Sequence, residues 1–146
     1  MKNQFLMILL IFIGSVLCTS VAAQSISVTA IENAVKKDGK YAMLVSNARY
    51  FQAAVRTGVG LKANNQDMDF EVVLIGPVVK DLATDEGLKS TIEAGKKAGI
   101  RIVVCEAAMN YFKLKHKDFH RSIAFTPDGF IYMFGLQESG FKTITL

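Results

Sequence analysis

Three short runs, Tyr41–Val45, Phe70–Ile75 and Ile100–Cys105, are apolar or nearly so and do not alternate with polar residues. A strand with one face in water shows a period of two, so runs without alternation need cover on both faces of their sheet. Each run gives way to helical spacing. Phe51, Ala54, Val55 and Val59 follow the first, Leu88, Ile92 and Gly95 the second, and Ala107 to Leu114 the third. A buried strand followed by a crossover helix is the repeating unit of a parallel sheet. Two further strands are expected at Ser122–Phe125 and in 141–146. Between them lies a helix that starts around Thr126-Pro127-Asp128, carries Phe130, Met133, Phe134 and Gln137 on one face, and stops at Gly140. The pattern predicts an α/β fold, a three-layer α/β/α sandwich with a mostly parallel sheet of about five strands.

Local punctuation supports this alternation. Ser46-Asn47 suits a helix cap, Gly76-Pro77 ends the second strand, and Thr84-Asp85-Glu86 reads as a capped helix start with acids in its first turn. Lys96, Lys97 and Gly99 close that helix. Gly58 and Gly60 weaken the end of the first long helix, Asn64 to Asp67 is a polar loop, and Val78 to Leu82 reads as a loop or a single helical turn.

The amino terminus has a different pattern. Lys2 precedes an apolar run from Phe5 to Val16, and Val21-Ala22-Ala23 places small residues where a signal peptidase reads. The run is shorter than the ~20 residues that span a bilayer, and no basic stop-transfer cluster follows it. Residues 1–23 are therefore expected to be a signal peptide, 24–39 a lead-in segment with Ile31, Ala34 and Val35 at helical spacing, and 40–146 a single domain. This implies export, to the periplasm, with no membrane attachment after cleavage. Leu17, before Cys18, is a poor match to a lipoprotein signal.

Cleavage removes Lys2 and Cys18. The positive surplus that remains is small and interleaved with acids, which argues against a nucleic-acid footprint. It also leaves Cys105 as the sole cysteine, unable to form an internal disulfide. Cys105 ends a buried strand just where a helix begins, at the edge where open α/β sheets place their sites. Unpaired N–H groups at a helix start favour the reactive thiolate, and the basic run Lys113 to Lys117 adds positive potential if it folds back; Glu106 opposes both. Cysteine is also among the most buried residue types, and this one follows four apolar positions, Ile100, Ile102, Val103 and Val104, so a structural thiol stands beside a working one.

Other chemistry is poorly supported. Gly58-Val59-Gly60 lies at the end of a helix, unlike a dinucleotide loop, and no serine sits in a nucleophile elbow. His116 and His120 are four apart but surrounded by Lys115, Lys117 and Arg121, which disfavours a metal. Neither has an identifiable partner, so a hydrolase built on them is the weakest reading. Asp67 and Asp69 read as a solvated turn. No metal or cofactor is expected. Asn47, Gly76 and Asn110 fall near the same sheet edge as Cys105 and are pocket candidates.

The ordered blocks FEVVLIGPVV, GIRIVVCEAAM and TPDGFIYMFGLQESGFKTI resemble the DsrE/DsrF-like family, also called YchN-like, over Lys40 to Leu146. The resemblance implies a three-layer fold, a homo-oligomer (trimer or hexamer) and, in members that handle sulfur, a cysteine that carries it as a persulfide. Cys105 matches that cysteine. The implied function is a sulfur carrier or sulfurtransferase relaying sulfane sulfur, dependent on donor and acceptor proteins because no second thiol is present. A non-catalytic oligomeric binding or scaffold module with a buried cysteine is the alternative.

Overall fold

The computed structural model describes residues 26–146; the expected signal peptide lies outside them. Residues 26–34 separate from the compact unit that begins at Val35. They hold one short helix, α1 (Val28–Glu32), whose Ser27 hydroxyl accepts the Ala30 N–H at 3.1 Å. The expected stripe of Ile31, Ala34 and Val35 is thus only begun, because α1 stops at Glu32.

From Val35 onward the elements are β1 (Lys40–Val45), α2 (Ala48–Lys62), β2 (Asp69–Leu74), α3 (Pro77–Thr84), α4 (Lys89–Lys97), β3 (Arg101–Cys105), α5 (Glu106–Tyr111), β4 (Ala124–Thr126), α6 (Gly129–Glu138) and β5 (Lys142–Thr145). The sheet order is β4-β3-β2-β1-β5, and every pair is parallel. Connections from β1 through β4 step in one direction, so right-handed crossovers place α2, α3, α4 and α5 on one face. The connection from β4 to β5 runs back across the sheet and delivers α6 to the other face.

Residue burial follows this division. Phe51, Val55, Val78, Ile92 and Met109 pack with Val45, Phe70, Val72, Leu74 and Val104 on the many-helix face. On the α6 face, Met133 and Leu136 pack on Ala42, Leu44, Val73 and Val103. One charged side chain, Glu71, is buried among the described residues. The Tyr132 hydroxyl donates to its Oε2 at 2.8 Å, and Arg101 stands opposite Glu71 in the strand register.

Several local expectations are corrected. α2 continues through Gly58 and Gly60 to Lys62, since packing outweighs glycine's intrinsic penalty. Val78–Leu82 belongs to a full helix, with Pro77 in its first turn, where no N–H is required. Asp85 caps a 3-10 turn (Glu86–Leu88), not the long helix, which starts at Lys89. Pro127 precedes α6, because Asp128 is its cap and accepts the N–H groups of Phe130 (2.8 Å) and Ile131 (3.2 Å). The short edge strand lies at Ala124–Thr126, so it begins two residues after Ser122 and ends one residue beyond Phe125.

Candidate functional site

Connections leave the sheet toward opposite faces at only one pair of neighbouring strands. β3 turns into α5 on the many-helix face, and β4 turns toward α6 on the other. Cys105 and Thr126, which end these strands, are register partners. In open α/β sheets such a divergence opens a crevice beyond the strand ends, and ligands bind there. Cys105 therefore stands at the topological switch point of the sheet.

Its surroundings are close-fitting. The Gly129 N–H, first in α6, donates to the Cys105 Sγ at 3.3 Å. A Cβ on Gly129 would stand 2.6 Å from Ile75 Cγ2 and 3.3 Å from Cys105 Cβ, so this glycine is the reason α6 can approach the sulfur. The Ala107 N–H, beyond the thiol, donates to the Pro127 carbonyl at 3.2 Å and ties the two diverging connections together. Thr126 is buried beside them. Only 5% of Cys105 is exposed, so the thiol is buried beneath this junction.

The segment after α5 returns as far as Glu106. His116 Nε2 lies 2.7 Å from Glu106 Oε1, and its ring stacks on Phe125 with centroids 4.1 Å apart. The carboxylate adjoining Cys105 thus faces an imidazole. Asn110 lines an open cleft of about 330 Å³ with Glu106, Met109, Leu114, Lys115 and His116. Cys105 is not among the lining residues.

Asn47 and Gly76 lie at the same edge of the sheet, after β1 and β2, away from that cleft. Asn47 caps α2, its Oδ1 accepting the Tyr50 N–H at 2.9 Å. Gly76 turns into α3 with φ of 63°, a conformation that favours glycine. Both have structural tasks at the rim of the sheet, and the four residues do not line one pocket.

His120 acquires partners that local sequence did not suggest. Its Nε2 lies 2.7 Å from Glu93 Oε1, its Nδ1 2.7 Å from Ser122 Oγ, and the Ser122 N–H donates to the same Nδ1 at 3.2 Å. A backbone donor at Nδ1 makes that nitrogen the acceptor and leaves the Nε2 proton for Glu93. The set staples the loop before β4 to α4. The two histidines point to different carboxylates, and the described residues hold no group of three or more His, Cys, Asp or Glu able to take a metal.

The profile of the DsrE/DsrF-like family matches residues 39–146, all of the sheet and the helices between its strands. The chain belongs to the DsrE/DsrF-like family. Solved structures agree on the fold. A protein of unknown function, MTH1491 from Methanobacterium thermoautotrophicum, superposes with a TM-score of 0.66 at 14% identity, covering 74% of this chain and 99% of its own. BT1422 from Bacteroides thetaiotaomicron, also of unknown function, gives 0.64 at 19% identity, over 78% of this chain and all of its own. The ychN protein from E. coli gives 0.64 at 11% identity, over 74% and 99%. At these identities the likeness is one of fold. A search of curated proteins found no match. For this DsrE/DsrF-like chain, no helix among the described residues is long and apolar enough to cross a membrane.

Proposed function

We propose that this protein carries sulfane sulfur on Cys105. The observation that carries the reading is the place of the sulfur, at the switch point of a parallel sheet, with a backbone N–H directed at it. Family membership supports the same reading. In the loading step the Cys105 thiolate attacks the outer sulfur of a donor such as thiosulfate. A new S–S bond forms to Cys105, the donor's S–S bond breaks, and sulfite leaves with the bonding electron pair. An acceptor thiolate then takes the outer sulfur and Cys105 leaves as thiolate, so the cycle needs no second cysteine in this chain. The protein is exported to the periplasm in this reading, which the amino-terminal pattern supports, and acts as a homo-oligomer between a donor and an acceptor protein.

Mass spectrometry after thiosulfate or polysulfide treatment tests the relay. Wild type is expected to gain the mass of one sulfur atom and Cys105→Ser none; no gain in wild type, or an equal gain in the variant, refutes it. A second reading is an oligomeric binding module, favoured by the burial of Cys105 and by the exposed Phe130, Ile131 and Phe134 on α6. Reaction of Cys105 with a thiol reagent only after denaturation would select it.

A further inference from the structure

The turn that leaves α5 is built from residues its backbone does not favour. α5 closes with the Lys113 N–H on the Asn110 carbonyl (3.1 Å) and the Leu114 N–H on the Met109 carbonyl (2.9 Å). This closure puts Lys113 in the left-handed conformation, φ 57°, alone among the described residues other than glycine. Glycine normally fills this position, because a side chain there crowds the following carbonyl. Lysine makes the turn less stable than glycine would. Backbone strain of this kind is retained where a side chain has a task.

The surroundings indicate what that task is. Tyr111 is 80% exposed, and Phe112 meets it edge-on with centroids 5.0 Å apart, which presents a ring to solvent. Lys113, Lys115 and Lys117 follow, and none forms an ion pair among the described residues. Nearby acids are already engaged: Glu106 faces His116 at 2.7 Å, and Asp118 Oδ2 accepts the Lys115 N–H at 2.8 Å. The result is an exposed aromatic residue followed by three lysines that form no ion pair among the described residues, of which Lys115 lines the cleft with Glu106 and Asn110.

We propose that Tyr111 and the lysines at 113, 115 and 117 form a docking surface for an acidic protein segment. An exposed tyrosine is a frequent hot spot of protein interfaces, and lysines around it steer and orient a partner of opposite charge. The patch lacks the arginine forks and the length of a nucleic-acid track. The proposal deepens the sulfur-relay reading by giving the chemistry of the partner, and it rests on that reading for the partner's purpose.

Binding is measured by fluorescence anisotropy with a labelled amphipathic peptide of glutamate and leucine, on the full chain. Tyr111→Ala and Lys115→Ala are each expected to weaken binding about tenfold. Lys113→Gly relieves the left-handed strain, so its unfolding midpoint rises while binding falls about threefold. Lys142→Ala, on the opposite sheet edge, is expected to bind as wild type does. Unchanged binding in Lys113→Gly and Tyr111→Ala, or equal weakening in Lys142→Ala, overturns the proposal. Phosphatidylglycerol vesicles or single-stranded DNA bound more tightly than the peptide, with the same variant pattern, overturn it in favour of a lipid or nucleic-acid partner. Cys105→Ser, which cannot take up sulfur, is expected to keep peptide binding, so failure of docking and failure of the relay read out separately.

Discussion

At the scale of single residues, Gly129 and Cys105 form one unit. The glycine's φ is ordinary, so what it supplies is space. Alanine there would press on Ile75 and on the Cys105 side chain, and Gly129→Ala is expected to destabilise the fold by about 2 kcal/mol, read as a lower urea midpoint. Tyr132 gives a second residue-level prediction. Burial, followed by its hydrogen bond to Glu71 and the charge of that carboxylate, raises its pKa to about 12, against a weaker opposing effect of Arg101. The unfolded phenol ionises near pH 10. Stability from this group is therefore complete below about pH 10 and is lost as pH rises toward 12. Solvent screening at the partly buried hydroxyl limits the loss to about 1 kcal/mol. Tyr132→Phe should remove this alkaline step from unfolding midpoints measured across that range.

At the scale of elements, the strands were legible because the two-sided cover of a parallel sheet suppresses alternation, and the runs ending at Ile75 and Cys105 showed that directly. The C-terminal helix was legible as an element but not in its start. Pro127 drew the expected boundary forward, while the deciding bonds run from Asp128 to the N–H groups of Phe130 and Ile131. Asp128→Ala is expected to cost about 1 kcal/mol, measured as a fall in thermal midpoint, and to loosen the segment that brings Gly129 to the sulfur. Cys105 could be placed at a strand end by pattern alone. Its contact with Gly129, and the pairs His116–Glu106 and His120–Glu93, could not, because they join elements that share no local period. Glu71, a carboxylate inside an apolar run, was a visible signal that some buried donor had to meet it.

At the scale of the whole molecule, α6 is the decisive element. Among the described residues of the unit that begins at Val35, it is the one helix on its face of the five-stranded sheet, and it is apolar nearly all round. Met133 and Leu136 face the sheet, leaving Phe130, Ile131 and Phe134 exposed by 56%, 69% and 63%. Isolated apolar side chains on a surface need no explanation, but three on adjoining turns of one helix form a patch of the kind subunits bury. Covering each contributes roughly 1.5–3 kcal/mol, enough together to favour association of identical chains. Sedimentation of wild type is expected above the monomer mass. Phe134→Glu should sediment as a monomer while its circular dichroism and urea midpoint stay close to wild type, because Phe134 takes no part in the core of the α6 face. A wild-type protein that sediments as a monomer at micromolar concentration would leave the α6 patch without a partner copy, and the homo-oligomer would have to be abandoned.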